Sequence, residues 1–161
     1  MSLLDRQLNR MLAQRACLDL AFRDIAGKPG VIFELGLGKG RTYSHLKEHL
    51  PDRDIYVFER EVAAHKSAIP DDAHLILGDM RETLPAAVER FRGRVVLAHT
   101  DVGGYESSHN ATMTELVSRV LPPALVRGGL IVSDLRLSLP GIEQIPRPRE
   151  APEGWYFVYR A

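Results

Sequence analysis

The stretch FELGLGKGRTY, Phe33 to Tyr43, carries the densest chemical signal in the chain: Gly36, Gly38 and Gly40 alternate after a short apolar run. Glycine lets a backbone turn at positive φ and approach a ligand closely, so such a turn between a strand and a helix can cradle a nucleotide-like molecule. Three chemistries use one. A phosphate-binding P-loop needs G-x-x-x-x-G-K-[ST], whose lysine and hydroxyl reach phosphate and magnesium. Here Lys39 is followed by Gly40, so that chemistry fails. A dinucleotide fingerprint, G-x-G-x-x-G, framed on Gly36 and Gly38 meets Arg41 at its third glycine, which weakens a nicotinamide ligand without excluding it. The third frame, E-x-G-x-G-x-G, joins Glu34 to the three glycines. It suits a ligand whose near end bears an ammonium and no phosphate, which Glu34 favours directly or through water.

Acidic residues close the apolar runs that follow. Glu59 stands where a carboxylate can accept both hydroxyl protons of a ribose, a feature of adenosine ligands in general. Asp79 lies in LGDM. The segment HTDVGGYESSHN offers Asp101, Tyr105 and His109, of which the histidine can take a proton near neutral pH. Plainer readings stand beside these. Asp101 also suits a cap on its own loop, His109 and Asn110 a surface lead-in to a helix, and Glu34 a structural tie for the glycine turn. His99 and Cys17 read as packed residues.

The elements that must position these groups follow from periodicity. Ser2 and Asp5 form a capping-box pattern, and Leu4, Leu8, Met11, Leu18, Phe22 and Ile25 recur at helical spacing until Gly27 and Pro29. Leu3, Leu12, Ala16, Cys17 and Leu20 lie off that stripe, so a second apolar face is expected. From Val31 the pattern changes to short β-branched runs, 31–35, 55–58, 74–77, 95–98 and 130–132, which read as buried parallel strands. Helices are expected over 41–50, 61–68, 84–91 and 113–121, the last with Thr112 and Glu115 as a capping box. The alternation predicts an α/β fold, a doubly wound and mostly parallel sheet. After Asp134, Pro140, Pro146, Pro148 and Pro152 argue against another helix–strand pair, and 155–159 reads as a final antiparallel strand.

Taken with the order of elements, the motif E-x-G-x-G-x-G, the acid at Glu59, LGDM, HTDVGG and LVRGGLIVSD resembles the class I S-adenosylmethionine-dependent methyltransferases, over about Val31 to Asp134. The resemblance implies a Rossmann-like domain over 1–161, with an N-terminal helix (1–27), the core (31–134) and a shortened C-terminal region (135–161). It implies S-adenosylmethionine as cofactor, with Gly36, Leu37, Gly38 and Gly40 at the methionine end and Glu34 nearby. Glu59 and Arg60 would serve the ribose, Gly78, Asp79 and Met80 the adenine, and Thr100 and Asp101 the end of the fourth strand. Asp101, Tyr105 and His109 are then the catalytic candidates, and the last strand inserts antiparallel beside the fifth. Asp101 and Asp134 resemble the magnesium site of catechol-type O-methyltransferases, but Leu135 stands where that family has Asn, so no metal is assigned.

Composition limits the partners. With 21 basic and 21 acidic residues the chain gives no electrostatic reason to bind nucleic acid or an anionic membrane. No N-P-P-Y motif and no cysteine follow the fourth strand, which disfavours amino-methylation of nucleic acid and a covalent C5-cytosine mechanism. A small-molecule acceptor is expected by elimination. The single Cys17, the absence of a signal-peptide pattern and the lack of a membrane-length apolar run point to a cytoplasmic protein. The two-faced N-terminal helix and the shortened sheet edge point to a homo-oligomer. A nucleoside-binding sensor or scaffold without transfer is the alternative to an enzyme, and a nicotinamide-dependent enzyme a third reading.

Overall fold

The computed structural model describes residues 1–161. Its elements in chain order are α1 (Leu3–Asp24), β1 (Val31–Leu35), α2 (Arg41–His49), β2 (Ile55–Glu59), β3 (Leu75–Leu77), α3 (Met80–Arg90), β4 (Val95–Thr100), α4 (Ser107–Val120), β5 (Leu125–Ser133), β6 (Glu143–Ile145) and β7 (Phe157–Arg160). They form one seven-stranded sheet in the order β3-β2-β1-β4-β5-β7-β6. Strands β1 to β5 pair in parallel, and β7 runs antiparallel between β5 and β6.

Both faces of the sheet are covered, as near-continuous apolar strands require. On one face Phe33 packs edge-on against Phe58 (5.0 Å) and Phe91 (5.5 Å), joined by Leu84, Leu116 and Val117 of α3 and α4. On the other, Ala13, Cys17, Leu18 and Ala21 of α1 lie on Ile32, Val57 and Leu97. Strand order reverses between β1 and β4. The loops after their C-terminal ends therefore part and leave the crevice where open α/β sheets bind ligands.

Several expectations change. The buried stripe of α1 is Ala13, Cys17, Leu18, Ala21, continued by Ile25, whereas Leu4, Leu8 and Met11 are exposed at 78%, 54% and 43%. The first two turns of α1 project past the sheet, so helical periodicity there marks an apolar face without a floor beneath it. Segment 61–68 forms only a 3-10 turn at Lys66–Ala68. Pro70 biases Ile69 to extended backbone, and the His65 side chain caps Ser67 instead of a longer helix. Helix α3 begins at Met80, capped by Asp79, and carries Pro85 inside it. Helix α4 begins at Ser107, so Thr112 is not a cap; its hydroxyl donates to the Ser108 carbonyl within the helix. Beyond Asp134 the helix is indeed missing, yet β6 survives as an edge strand, and the last strand is 157–160, not 155–159.

Candidate active site

The glycine turn leaves β1 with each glycine in a different role. Gly36 has φ +96°, and a Cβ there would lie 2.5 Å from the Asp101 carbonyl, so glycine is needed for the turn to pack on the β4 loop. Gly40, at φ +79°, caps α2 with Ala68 against it; a Cβ would sit 2.5 Å from that methyl. Gly38 is also at positive φ, but nothing lies within 4 Å of its missing Cβ. That open side faces two cavities, of about 560 and 390 Å³, which meet at Gly38 and Asp101.

The larger cavity runs over the ends of β1, β2 and β3. Glu59 closes β2 with one oxygen accepting from the Leu37 and Gly38 amides (3.0 and 2.9 Å) and the other from Arg60 N (2.7 Å). A carboxylate offers about four lone-pair sites, so the one facing the cavity still has capacity for ligand hydroxyls. Arg60, Gly78, Asp79 and Met80 line the same cavity. Asp79 caps α3 through Arg81 N (2.9 Å), and its bond to the Arg81 guanidinium holds its carboxyl well below the usual range. His109 reaches the far wall, its Nε2 2.9 Å from the Val102 carbonyl, whereas Tyr105 is fully exposed and lines neither cavity.

The smaller cavity lies between α1 and the glycine turn, with Arg10, Gln14, Arg15, Lys39 and Arg41 among its walls beside Leu8 and Met11. Its floor is a network that motif reading does not contain. Arg10 ion-pairs with Asp101 and lies 3.8 Å from Asp134, so a guanidinium serves the two carboxylates that the sequence suggested as a magnesium pair. Asp134 also accepts from the Gly103 amide at 2.7 Å. Burial and the nearby charge of Asp101 nevertheless push its carboxyl upward. Gln14 lies 3.3 Å from both Asp101 and His99. Arg10 and Gln14 are four apart on α1, a polar pair that could have been noticed on a helix with apolar faces.

Beneath this floor Glu34 and His99 are directly opposed across the β1–β4 pairing, both fully buried, with His99 Nδ1 2.8 Å from the Glu34 carboxylate. Burial alone would lower the imidazole's proton affinity. The charge and hydrogen bond of Glu34, with Asp101 and Asp134 behind, outweigh it and raise the value. His99 is thus held by an acid and stacked on buried Tyr156 at 5.8 Å, not merely packed. Glu34 lines neither cavity, and Thr100 is buried too, its hydroxyl donating to Ser133 Oγ at 2.8 Å.

This crevice, with its acids and glycines, can be set beside known proteins. The family profile described as S-adenosyl-L-methionine methyltransferase matches residues 1–161. The chain belongs to that family. A crystal structure of an S-adenosyl-L-methionine methyl transferase from Silicibacter pomeroyi is 48% identical, with a TM-score of 0.94 over 99% of this chain and 98% of that one. The SAH-bound methyltransferase PaMTH1 of Podospora anserina, 17% identical, shares the fold at a TM-score of 0.62 over 88% of this chain and 75% of its own. No curated protein sequence matches. The methyltransferase is therefore an S-adenosylmethionine-dependent enzyme, and the choice left open at Arg41 goes to the methyl donor over the dinucleotide. The residues present fit that donor: an open Gly38, the Glu59 carboxylate at the end of β2 and a cavity lined by both. None of the helices is long and apolar enough to cross a membrane.

Proposed function

We propose that the enzyme methylates a small molecule held in the cavity beside α1, at the point where that cavity meets the cofactor crevice. The carrying observation is that Gly38 and Asp101 line both cavities. When bound, S-adenosylmethionine would supply a sulfonium methyl group that the acceptor attacks in one step, with the S–CH3 bond breaking and S-adenosylhomocysteine as the leaving thioether. Transfer then needs in-line positioning and, for a protonated acceptor, a place for its proton.

In this reading Glu59 accepts the ribose hydroxyls, with Arg60 beside it. Gly78, Asp79 and the Met80 amide border the adenine. Gly36, Leu37, Gly38 and Gly40 shape the seat of the methionine end. Glu34 acts through His99, and Thr100 through Asp134. Asp101 orients the acceptor and receives its proton, while Arg10 and Gln14 fix the carboxylate. His109 does not stand on a substrate loop but in the first turn of α4, on the wall of the larger cavity, and Tyr105 is exposed on the loop before it, so neither reaches the acceptor cavity. Arg15, Lys39 and Arg41, which form no salt bridge, give the acceptor cavity a positive rim. Together with Leu8 and Met11 they favour an anionic molecule with an apolar part.

The remaining expectations join the same proposal. The whole chain acts as one catalytic unit in the cytoplasm, without nucleic acid or membrane as partner, supported by one continuous sheet and balanced charge. It is a homo-oligomer, supported by exposed Leu3 and Leu4 at 81% and 78%. Light scattering showing a monomer at micromolar concentration would remove that last part.

Calorimetric titration with S-adenosylmethionine, S-adenosylhomocysteine and NAD in parallel, repeated on Glu59→Ala, tests the cofactor assignments. Binding of both adenosyl compounds, weakened about 10- to 100-fold in the variant, is the expected result. Unchanged affinity in Glu59→Ala would sink the ribose assignment.

A further inference from the structure

We propose that Asp19, His45 and His49 form a site for a divalent transition metal of the Zn²⁺ class, at the junction of α1 and α2. One donor atom from each side chain lies within 4.8 Å of the others. His45 and His49 are four apart on α2 and so share a face, the spacing that lets two imidazoles on one helix reach a common ion. Asp19 comes from α1, its Oδ1 3.6 Å from His45 Nε2, too far for a hydrogen bond. That Nε2 is buried and has no hydrogen-bond partner. A buried ring nitrogen without a hydrogen bond beside a carboxylate calls for an ion or a proton between them.

The second histidine is also prepared. His49 Nδ1 lies 3.0 Å from the His45 carbonyl, and donating its N–H there leaves Nε2 with a lone pair for a metal. Phe22 lies against both rings, at 5.6 and 5.3 Å between centroids, and walls one side of the cluster. The imidazoles themselves are 4.2 Å apart. Two imidazoles and one carboxylate suit Zn²⁺ or Co²⁺, whereas Mg²⁺ and Ca²⁺ prefer all-oxygen sets. Three protein ligands leave the fourth tetrahedral position to water, and exposed His49 gives the ion a way in.

The site also has a structural consequence. His45 borders the smaller cavity, whose opposite wall is α1 with Arg10 and Gln14. A metal shared by α1 and α2 would tie the two walls of that cavity together. Neither Asp19 nor His49 is assigned to cofactor or transfer, so failure of the metal site leaves the methyl-transfer reading untouched, and the reverse.

The test is titration of untagged, chelator-treated protein with ZnCl₂ against a chromophoric competitor, alongside CoCl₂ absorption spectra and thermal melts. One Zn²⁺ per chain with affinity at micromolar or below, intense tetrahedral Co²⁺ bands and a raised melting temperature are expected. His49→Ala and Asp19→Asn should each weaken Zn²⁺ by about 100-fold or more. Both variants should still bind S-adenosylhomocysteine, which guards against misfolding. Binding only at millimolar Zn²⁺, or equal affinity in either variant, would overturn the site.

Discussion

The two halves of the crevice are built differently. On the side of the larger cavity the acids are bound by their near surroundings. Asp79 answers to Arg81 two residues on, and Glu59 to Arg60 and the neighbouring glycine turn. On the side of the smaller cavity the partners come from α1, β1, β4, the end of β5 and the segment before β7, through Arg10, Glu34, His99, Asp134 and Tyr156. The first half is half-exposed and tolerant of a ligand's arrival. The second is a largely dehydrated set of charges, in which losing one member strands another.

The largest effect should therefore come from Glu34→Ala. It leaves His99 buried without its acid and should cost about 3–5 kcal/mol in urea unfolding. A loss well below that would mean that the buried half is no more coupled than the exposed one. Glu59→Ala should do the opposite, weakening S-adenosylhomocysteine about 10- to 100-fold with little change in melting temperature. A large fall in stability there would erase the contrast.

Proton linkage separates the halves next. Glu34, His99 and Asp134 all have folded-state proton affinities raised above their ordinary values, Glu34 and Asp134 first by burial, His99 by its acid neighbours against burial. The native state then binds more protons than the unfolded one, so their contribution is greatest at low pH and is lost as pH rises through the raised values. Melting temperature should fall by several degrees between about pH 6 and about pH 9, and His99→Gln should flatten the slope. A rising profile would contradict the network. Smallest of all, Asp79→Asn should weaken cofactor binding only about two- to fivefold, measured by the same calorimetry, because its ion pair with Arg81 is exposed to solvent.

Sequence alone determined what short-range physics determines. Apolar runs located β1, β2, β3 and β4; β1 and β4 are buried throughout, because such strands need apolar side chains on both faces, whereas edge strand β3 is not the buried strand expected and leaves Leu77 exposed. Gly36, Gly38 and Gly40 announced a turn only glycine can make, and all three do have positive φ. Proline correctly removed the helix after β5, but it could not exclude three-residue β6, whose pairing depends on β7 being there first. The stripe on α1 was misjudged because periodicity records which residues align, not which of them meet a sheet. Which acids would be solitary and which paired was left to tertiary structure. Arg10 reaches Asp101 across 91 positions, and Glu34 meets His99 across 65, through a parallel register that no local pattern encodes. A charge's partner is set by where strands end in space, and that is decided only when the sheet closes over its helices.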